Sequence, residues 1–114
     1  VTAGCSGTRH PAPHVAAEPA VGPAVSGTPA GTQVSVGAAP EGIVYDAVTG
    51  LVAVAVRSPD RLVLLNGRTL RIVKEVPLAG HARHLQLARP GGPVIVPEED
   101  ANQLALVSLP GGAA

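Results

Sequence analysis

The chain is poor in aromatic residues and has no excess of charge of either sign. Of its 114 residues only Tyr45 is aromatic, and eight basic residues balance eight acidic ones. A protein without a basic surface does not neutralise the phosphates of nucleic acid, and one without aromatic side chains offers no platform for stacked bases. No apolar run reaches the roughly 20 residues that span a bilayer as a helix. The composition argues against nucleic acid as a partner and against a spanning helix within these residues.

Cysteine occurs once, as Cys5, so the chain cannot form an internal disulfide. Proline and glycine are abundant, with twelve and fourteen residues, and half of the prolines fall in the first 40 positions. The residues from Gln33 onwards are instead rich in Val, Leu, Ile and Ala. Residues 1–32 are therefore predicted to be a disordered leader, and residues 33–114 a folded domain. Without disulfides or a structural metal, a core of this size contributes only about 3–5 kcal/mol to the stability of the domain. Such a domain is either marginal alone or part of something larger.

The first residues, Val1–Gly7, place small side chains before the lone cysteine. This segment resembles the lipobox of bacterial lipoproteins, in which the chain is cut before the cysteine and the sulfur is lipidated. Ala3 and Gly4 match the small positions before the cut, whereas Thr2 departs from the usual Leu or Val. The resemblance implies lipidation of Cys5, an extracytoplasmic location and a membrane as partner. The alternative is that Cys5 is a free thiol in a tail without a role.

The leader continues to Thr32 with Pro, Ala, Gly and Ser, a composition typical of a semi-rigid, extended linker. His10 and His14 have the spacing of a metal-binding pair on a helix, but Pro11 and Pro13 make a helix implausible there. We therefore expect no metal site in the leader.

Short apolar runs separated by turn residues predict a β-meander after the leader. Asn66-Gly67 predicts a two-residue hairpin, and Pro77 limits the last strand to a sheet edge or a strand end. The predicted strands cover residues 42–46, 51–56, 61–65 and 70–76.

The pattern then repeats without a gap. Ile43 corresponds to Leu85, Val52 to Val94 and Leu62 to Leu104. The spacing is 42 residues in each case, and we call it the repeat offset. A period of about 40 residues with four strands is typical of a β-propeller blade. The fold prediction is all-β: a partial β-propeller of about two four-stranded antiparallel blades, covering residues 36–78 and 79–114. The second unit is predicted to stop after its third strand, which implies either a missing C-terminal portion or association with a further copy. The alternative is two unrelated meanders with generic turns.

Residues 36–46, followed by Thr49-Gly50 and the strands through Asn66, resemble the YVTN-type β-propeller repeat. The second copy departs from that family's pattern at Arg83, at Ala88 and in the stretch Pro97–Asp100, and neither copy has the Tyr that names the repeat. The resemblance covers about residues 36–109. It implies an extracytoplasmic binding or scaffold domain, and in some members part of a redox enzyme.

Few residues suggest a metal-binding or catalytic role. His81 and His84 flank the predicted crossing between blades and are weak candidates for metal ligands, the alternative being a turn histidine bonded to the backbone. Glu98, Glu99 and Asp100 predict a solvated turn, because neighbouring carboxylates do not converge on a calcium ion. No nucleophile, base and orienting group occur together, so no catalytic residue and no cofactor are assigned.

The sequence favours an extracytoplasmic, lipid-anchored module that binds an unknown protein or small molecule and has no catalytic site of its own. A second hypothesis is the N-terminal fragment of a propeller enzyme, such as a periplasmic oxidoreductase subunit, with its active residues beyond Ala114. A third is a small cytoplasmic β-protein with a disordered tail.

Overall fold

The described part of the chain is an all-β structure. A computed structural model describes residues 20–114, which contain two antiparallel sheets of four and three strands and no helix. The predicted all-β class is confirmed, and the second sheet has three strands, as expected for a second unit that stops after its third strand. The first sheet consists of β1 (Pro40–Asp46), β2 (Leu51–Val56), β3 (Arg61–Asn66) and β4 (Ile72–Pro77), and the second of β5 (Gln86–Leu87), β6 (Val94–Glu98) and β7 (Gln103–Val107).

Strands β2 and β3 are the central strands of the first sheet and are almost wholly apolar. A continuous apolar run of this length is typical of a strand buried on both faces. Most of their residues are indeed buried, with both faces of the sheet covered. Strand β4 lies at the sheet edge and ends at Pro77, where a missing backbone donor costs no ladder hydrogen bond.

The β3–β4 connection differs from the predicted two-residue hairpin. The Oδ1 of Asn66 accepts hydrogen bonds from the backbone N–H groups of Arg68 and Thr69, at 3.0 and 2.9 Å. The N–H of Leu70 donates to the carbonyl of Asn66 at 2.8 Å, and Leu70 has a φ of 59°. The prediction was wrong because the Asn66 side chain caps a longer turn, in which the left-handed residue is Leu70 rather than Gly67.

The main core lies between the two sheets. Side chains alternate between the faces of a strand, so one face of the first sheet carries Ala53, Leu62 and Leu64. These pack with Val94 and Val107 of the second sheet in a single buried cluster. The inner faces of both sheets are therefore held together by apolar contact, which is the dominant favourable contribution to folding.

The opposite face of the first sheet has its own, smaller core. Val54, Val56, Val63 and Leu65 form a second buried cluster, and the segment before β1 packs on it through Val36. The backbone carbonyl of Val36 also accepts a hydrogen bond from Arg61 Nη2 at 3.2 Å. The segment just before β1 thus covers part of a sheet face that would otherwise be open.

The two sheets have the same strand register when one is shifted by the repeat offset. Val52 pairs with Leu65 in the first sheet, and Val94 pairs with Val107 in the second. Tyr45 also pairs with Val52, as Leu87 does with Val94. Every pairing in the second sheet has a counterpart in the first at the same offset.

The two faces that meet between the sheets are not equivalent to each other: one face of the first sheet packs on the opposite face of the second. The inter-sheet core takes Leu62 and Leu64 from the first sheet, but their counterparts Leu104 and Leu106 point away from it and are exposed. Conversely, Val94 and Val107 are in the inter-sheet core, whereas their counterparts Val52 and Leu65 lie on the other face of the first sheet. The sheets therefore stack head to tail.

The two sheets remain separate, open ladders. Their stacking does not by itself establish a propeller, which requires further sheets around an axis. Within residues 20–114 there is no helix that could cross a membrane.

Candidate functional site

A row of alternating charges crosses one end of both sheets. Glu41 lies near the start of β1, Arg57 directly follows β2, Arg83 lies before β5 and Glu99 directly follows β6. In antiparallel sheets the start of one strand lies beside the end of the next, which brings these positions together. Glu41 is 3.3 Å from Arg57 Nε and 3.5 Å from Arg83 Nε, and Arg83 Nε is 3.6 Å from Glu99. We call these four residues the charged row; their charges cancel.

The side chains of His81 and Asp100 contact each other beside the charged row. His81 Nδ1 is 3.1 Å from Asp100 Oδ2, and the backbone N–H of His81 donates to Asp100 Oδ1 at 2.8 Å. Gly80 permits this approach, because a Cβ there would overlap the carboxylate. Partial burial would raise the pKa of Asp100, but the His81 N–H and imidazole outweigh it and hold that pKa below its usual value. The contact fixes the orientation of the imidazole ring.

The two histidines of the domain do not form a metal centre. His84 is exposed and lines an open depression of about 490 Å³ together with Ala39, Pro40, Glu41 and Arg83. His81 instead faces Asp100. Within residues 20–114 there is no group of three or more His, Cys, Asp or Glu side chains that could hold a metal ion. Cys5, His10 and His14 lie outside the described residues.

The acidic run at the end of β6 is divided among three environments. Glu98 is buried, accepts a hydrogen bond from the N–H of Ala79 at 3.0 Å, and accepts another from Gln103 Nε2. Glu99 faces Arg83, and Asp100 faces His81. The predicted solvated turn was wrong for Glu98, because the alternation that buries Val94 and Val96 continues inward by one more step.

Asp46 is a second buried carboxylate, which sequence reasoning did not single out. Its Oδ2 accepts hydrogen bonds from the hydroxyl and the N–H of Thr49, at 2.6 and 2.9 Å, and its Oδ1 accepts one from the N–H of Gly91 at 2.8 Å. The Thr49 hydroxyl and then the Gly91 N–H lower the pKa of Asp46 to about 2. An Asp three residues before a Thr at a strand end was the available sign of this turn.

Two apolar surfaces complete the candidate site. The outer face of the second sheet carries Leu104 and Leu106, which are 66% and 55% exposed, with Ile95 beside them. We call these three residues the outer face. On the far side of the molecule an open groove of about 380 Å³ lies along the first sheet between the strands and the leader. We call it the leader groove; its walls include Val34, Val36, Ile43, Val52, Val54 and Leu65.

Comparison with protein-family models gives no match. Comparisons with curated proteins and with solved structures likewise give none.

The geometry therefore offers fixed charges and apolar surfaces. In the charged row each carboxylate lies opposite a guanidinium, and Asp46 and Glu98 hold backbone N–H groups. Carboxylates that already bind a guanidinium or a backbone N–H hold those groups in place, and they are poorly placed to take protons from a substrate. Exposed apolar faces rimmed by polar residues mark interaction surfaces.

Proposed function

We propose that this chain is an extracytoplasmic β-propeller-type binding or scaffold module, held at a membrane by lipid on Cys5. In this proposal the two sheets are successive blades of a YVTN-like repeat. The chain carries no catalytic site, and its ligand is a protein or a small molecule.

The observation that carries the blade assignment is the head-to-tail stacking of two sheets that share one strand register at the repeat offset. Blades of a propeller repeat one meander and place the same face of each on the opposite face of the next. Two unrelated meanders would have no reason to share every pairing.

The leader supports the role of a tether. Residues 20–32 are exposed and contain no strand or helix, and they continue the Pro/Ala/Gly composition that begins after Cys5. At roughly 3.1 Å per residue, the residues between Cys5 and Gln33 would reach up to about 85 Å if they were in an extended polyproline conformation. That length would hold the sheets clear of a membrane surface.

The open depression beside the charged row is where we place the ligand. Glu41 of the first unit and Arg83 of the second line it, and His84 adds an exposed ring. A ligand there would touch both sheets and so depend on their stacking.

Metabolic labelling of the native gene in its own host tests the anchor. A palmitate analogue is expected to label the wild-type protein, which should partition into detergent, whereas Cys5→Ser should be unlabelled and soluble. Lipidation through a lipobox depends on the position of the cysteine. The double variant Cys5→Ser/Thr8→Cys should therefore also stay unlabelled, and Thr8→Ala should behave as wild type. An unlabelled wild type would overturn the anchor, and a labelled double variant would replace it with non-specific acylation of the tail.

A further inference from the structure

The outer face of the second sheet repeats the chemistry of a face that is buried in the same molecule. At the repeat offset, Leu104 and Leu106 occupy the positions of Leu62 and Leu64. Leu62 and Leu64 are fully buried under the second sheet, whereas their counterparts face solvent. Two neighbouring exposed leucines on one face of a sheet are an unfavourable surface to leave in water.

The leader groove repeats the complementary half of that interface. Val52, Val54 and Leu65 line it, and they are the counterparts of Val94, Val96 and Val107, which pack against the first sheet. One chain therefore contains one complete inter-sheet contact and also both halves of a second contact, at its two opposite ends.

The charges at the edge of the inter-sheet contact are also complementary. Within the chain, Arg83 of the second unit contacts Glu41 of the first. Arg83 is itself the counterpart of Glu41 at the repeat offset. When the first sheet of another copy follows the second sheet, its Glu41 falls beside Arg83, so opposite charges meet again.

We propose that a second copy of this chain docks on the outer face, with Leu104 and Leu106 seated in the leader groove of that copy. The inference rests on the stacked-repeat part of the proposed function and not on lipidation. It continues an interface that the chain already forms, with equivalent residues on both sides and opposite charges at the rim.

The contact joins two different surfaces, so each copy keeps one free half after docking. Such heterologous contacts close into rings when the rotation allows and otherwise propagate. Propellers typically contain about four to eight sheets, which corresponds to roughly two to four copies of a chain with two sheets. A closed ring of that size is the expected assembly.

Sedimentation velocity over a wide concentration range tests the docking, under reducing conditions so that Cys5 forms no disulfide. The wild-type chain should associate reversibly. Leu104→Lys disables the outer face, and Ile43→Lys disables the leader groove at a residue that is 69% exposed and so tolerates the change. Each should raise the dissociation constant roughly tenfold or more. Val48→Lys is the control, because Val48 is 68% exposed but lies in the β1–β2 turn outside both surfaces.

Mixing the two defective variants gives the decisive result. The Leu104→Lys chain keeps its groove and the Ile43→Lys chain keeps its outer face. The mixture should therefore form a 1:1 dimer at concentrations at which neither variant associates alone. A mixture that stays monomeric, a wild type that is monomeric throughout, or an Ile43→Lys variant that associates like wild type would overturn the proposal. The last result would indicate a symmetric dimer through the outer face alone.

Failure of this inference and failure of the stacked-sheet assignment are distinguishable. If the wild type is monomeric but Leu64→Ala strongly destabilises it, the sheets stack within the chain and only the docking is wrong. If Leu64→Ala is harmless, the stacking itself is wrong and the docking falls with it.

Discussion

The carboxylate of Asp46 accepts a hydrogen bond from the backbone N–H of Gly91, 45 positions later in the chain, at 2.8 Å. Asp46 ends β1 in the first sheet, and Gly91 lies in the connection between β5 and β6 of the second. The same carboxylate caps the β1–β2 turn through Thr49. One buried side chain therefore couples a local turn to the stacking of the two sheets.

This coupling predicts a loss of stability in acid. The pKa of Asp46 is lowered from 3.8 to about 2 in the folded chain, so the unfolded state binds the proton more tightly. The stabilisation is complete above about pH 4 to 5 and is lost as the pH falls towards 2. We expect Asp46→Asn to lower the free energy of unfolding at pH 7 and to flatten its decline between pH 5 and pH 2, as measured by urea unfolding.

The variant Thr49→Val refines this test, because it removes the hydroxyl that lowers the pKa most while retaining a similar shape. Its pH dependence should lie between those of the wild type and Asp46→Asn. Equal slopes in all three proteins would show that Asp46 does not carry the acid sensitivity.

Leu64 and Leu106 occupy equivalent positions, so comparing them shows how much burial alone contributes to stability. Leu64 is fully buried and its counterpart Leu106 is 55% exposed. Truncating a buried leucine to alanine costs about 2–5 kcal/mol, because the cavity it leaves is only partly filled, whereas most surface substitutions stay within about 0.5 kcal/mol. We expect Leu64→Ala to reduce the free energy of unfolding by the larger amount and Leu106→Ala by the smaller.

Urea unfolding of both variants at a protein concentration low enough to avoid association provides the comparison. Equal losses from the two substitutions would contradict the head-to-tail arrangement, since it predicts that only one of the equivalent positions is covered.

These leucines also show how far the sequence could be interpreted. The strands near 51–56 and 61–65 follow from their β-branched and leucine-rich composition, and the repeat offset is visible as a pattern of matching positions. Burial could not be predicted in the same way. Leu64 and Leu106 are the same residue in equivalent strands, and their exposure differs because a neighbouring sheet covers one of them.

The polar residues were harder to predict because their partners are distant in sequence. Glu98 belongs to an acidic run that is typical of a solvated turn, yet Ala79, 19 positions earlier, provides the N–H that satisfies it. Asp46 is satisfied by Gly91 in the β5–β6 connection. Asn66 was expected to favour a tight hairpin, but its side chain satisfies two local N–H groups in a longer turn. Competition between such hydrogen bonds is decided by the fold.

The buried carboxylate of Glu98 gives a third prediction. Glu98→Ala removes the acceptor for the Ala79 N–H and for Gln103 Nε2, and a buried donor left without a partner costs about 1–3 kcal/mol. We expect a loss of that size in urea unfolding. Glu98→Gln keeps one carbonyl acceptor and should lose less, while Glu99→Gln, in the neighbouring but less buried position, should lose least. The reverse order would mean that Glu98 is not satisfied by these partners.

The last prediction concerns the close approach of the two units at Gly42. A Cβ on Gly42 would lie 2.7 Å from the backbone carbonyl oxygen of Arg83 and 3.1 Å from Leu85 Cγ. A backbone oxygen cannot turn aside as a flexible side chain can, so β1 and the segment before β5 would have to separate. Overpacking of this kind typically costs about 1–3 kcal/mol, and we expect Gly42→Ala to lower the thermal midpoint accordingly.

Gly111→Ala is the matched control for Gly42→Ala, because a Cβ at Gly111 meets nothing within 4 Å. Its midpoint should stay close to that of the wild type. The Gly42 variant should also release Arg83 from Glu41, because the two ends of that ion pair are carried by the segments that move apart. Stability of Gly42→Ala should then become less sensitive to added salt than that of the wild type. A Gly42→Ala protein with an unchanged midpoint would mean that the two segments are not in contact, and that the charged row does not join the two sheets.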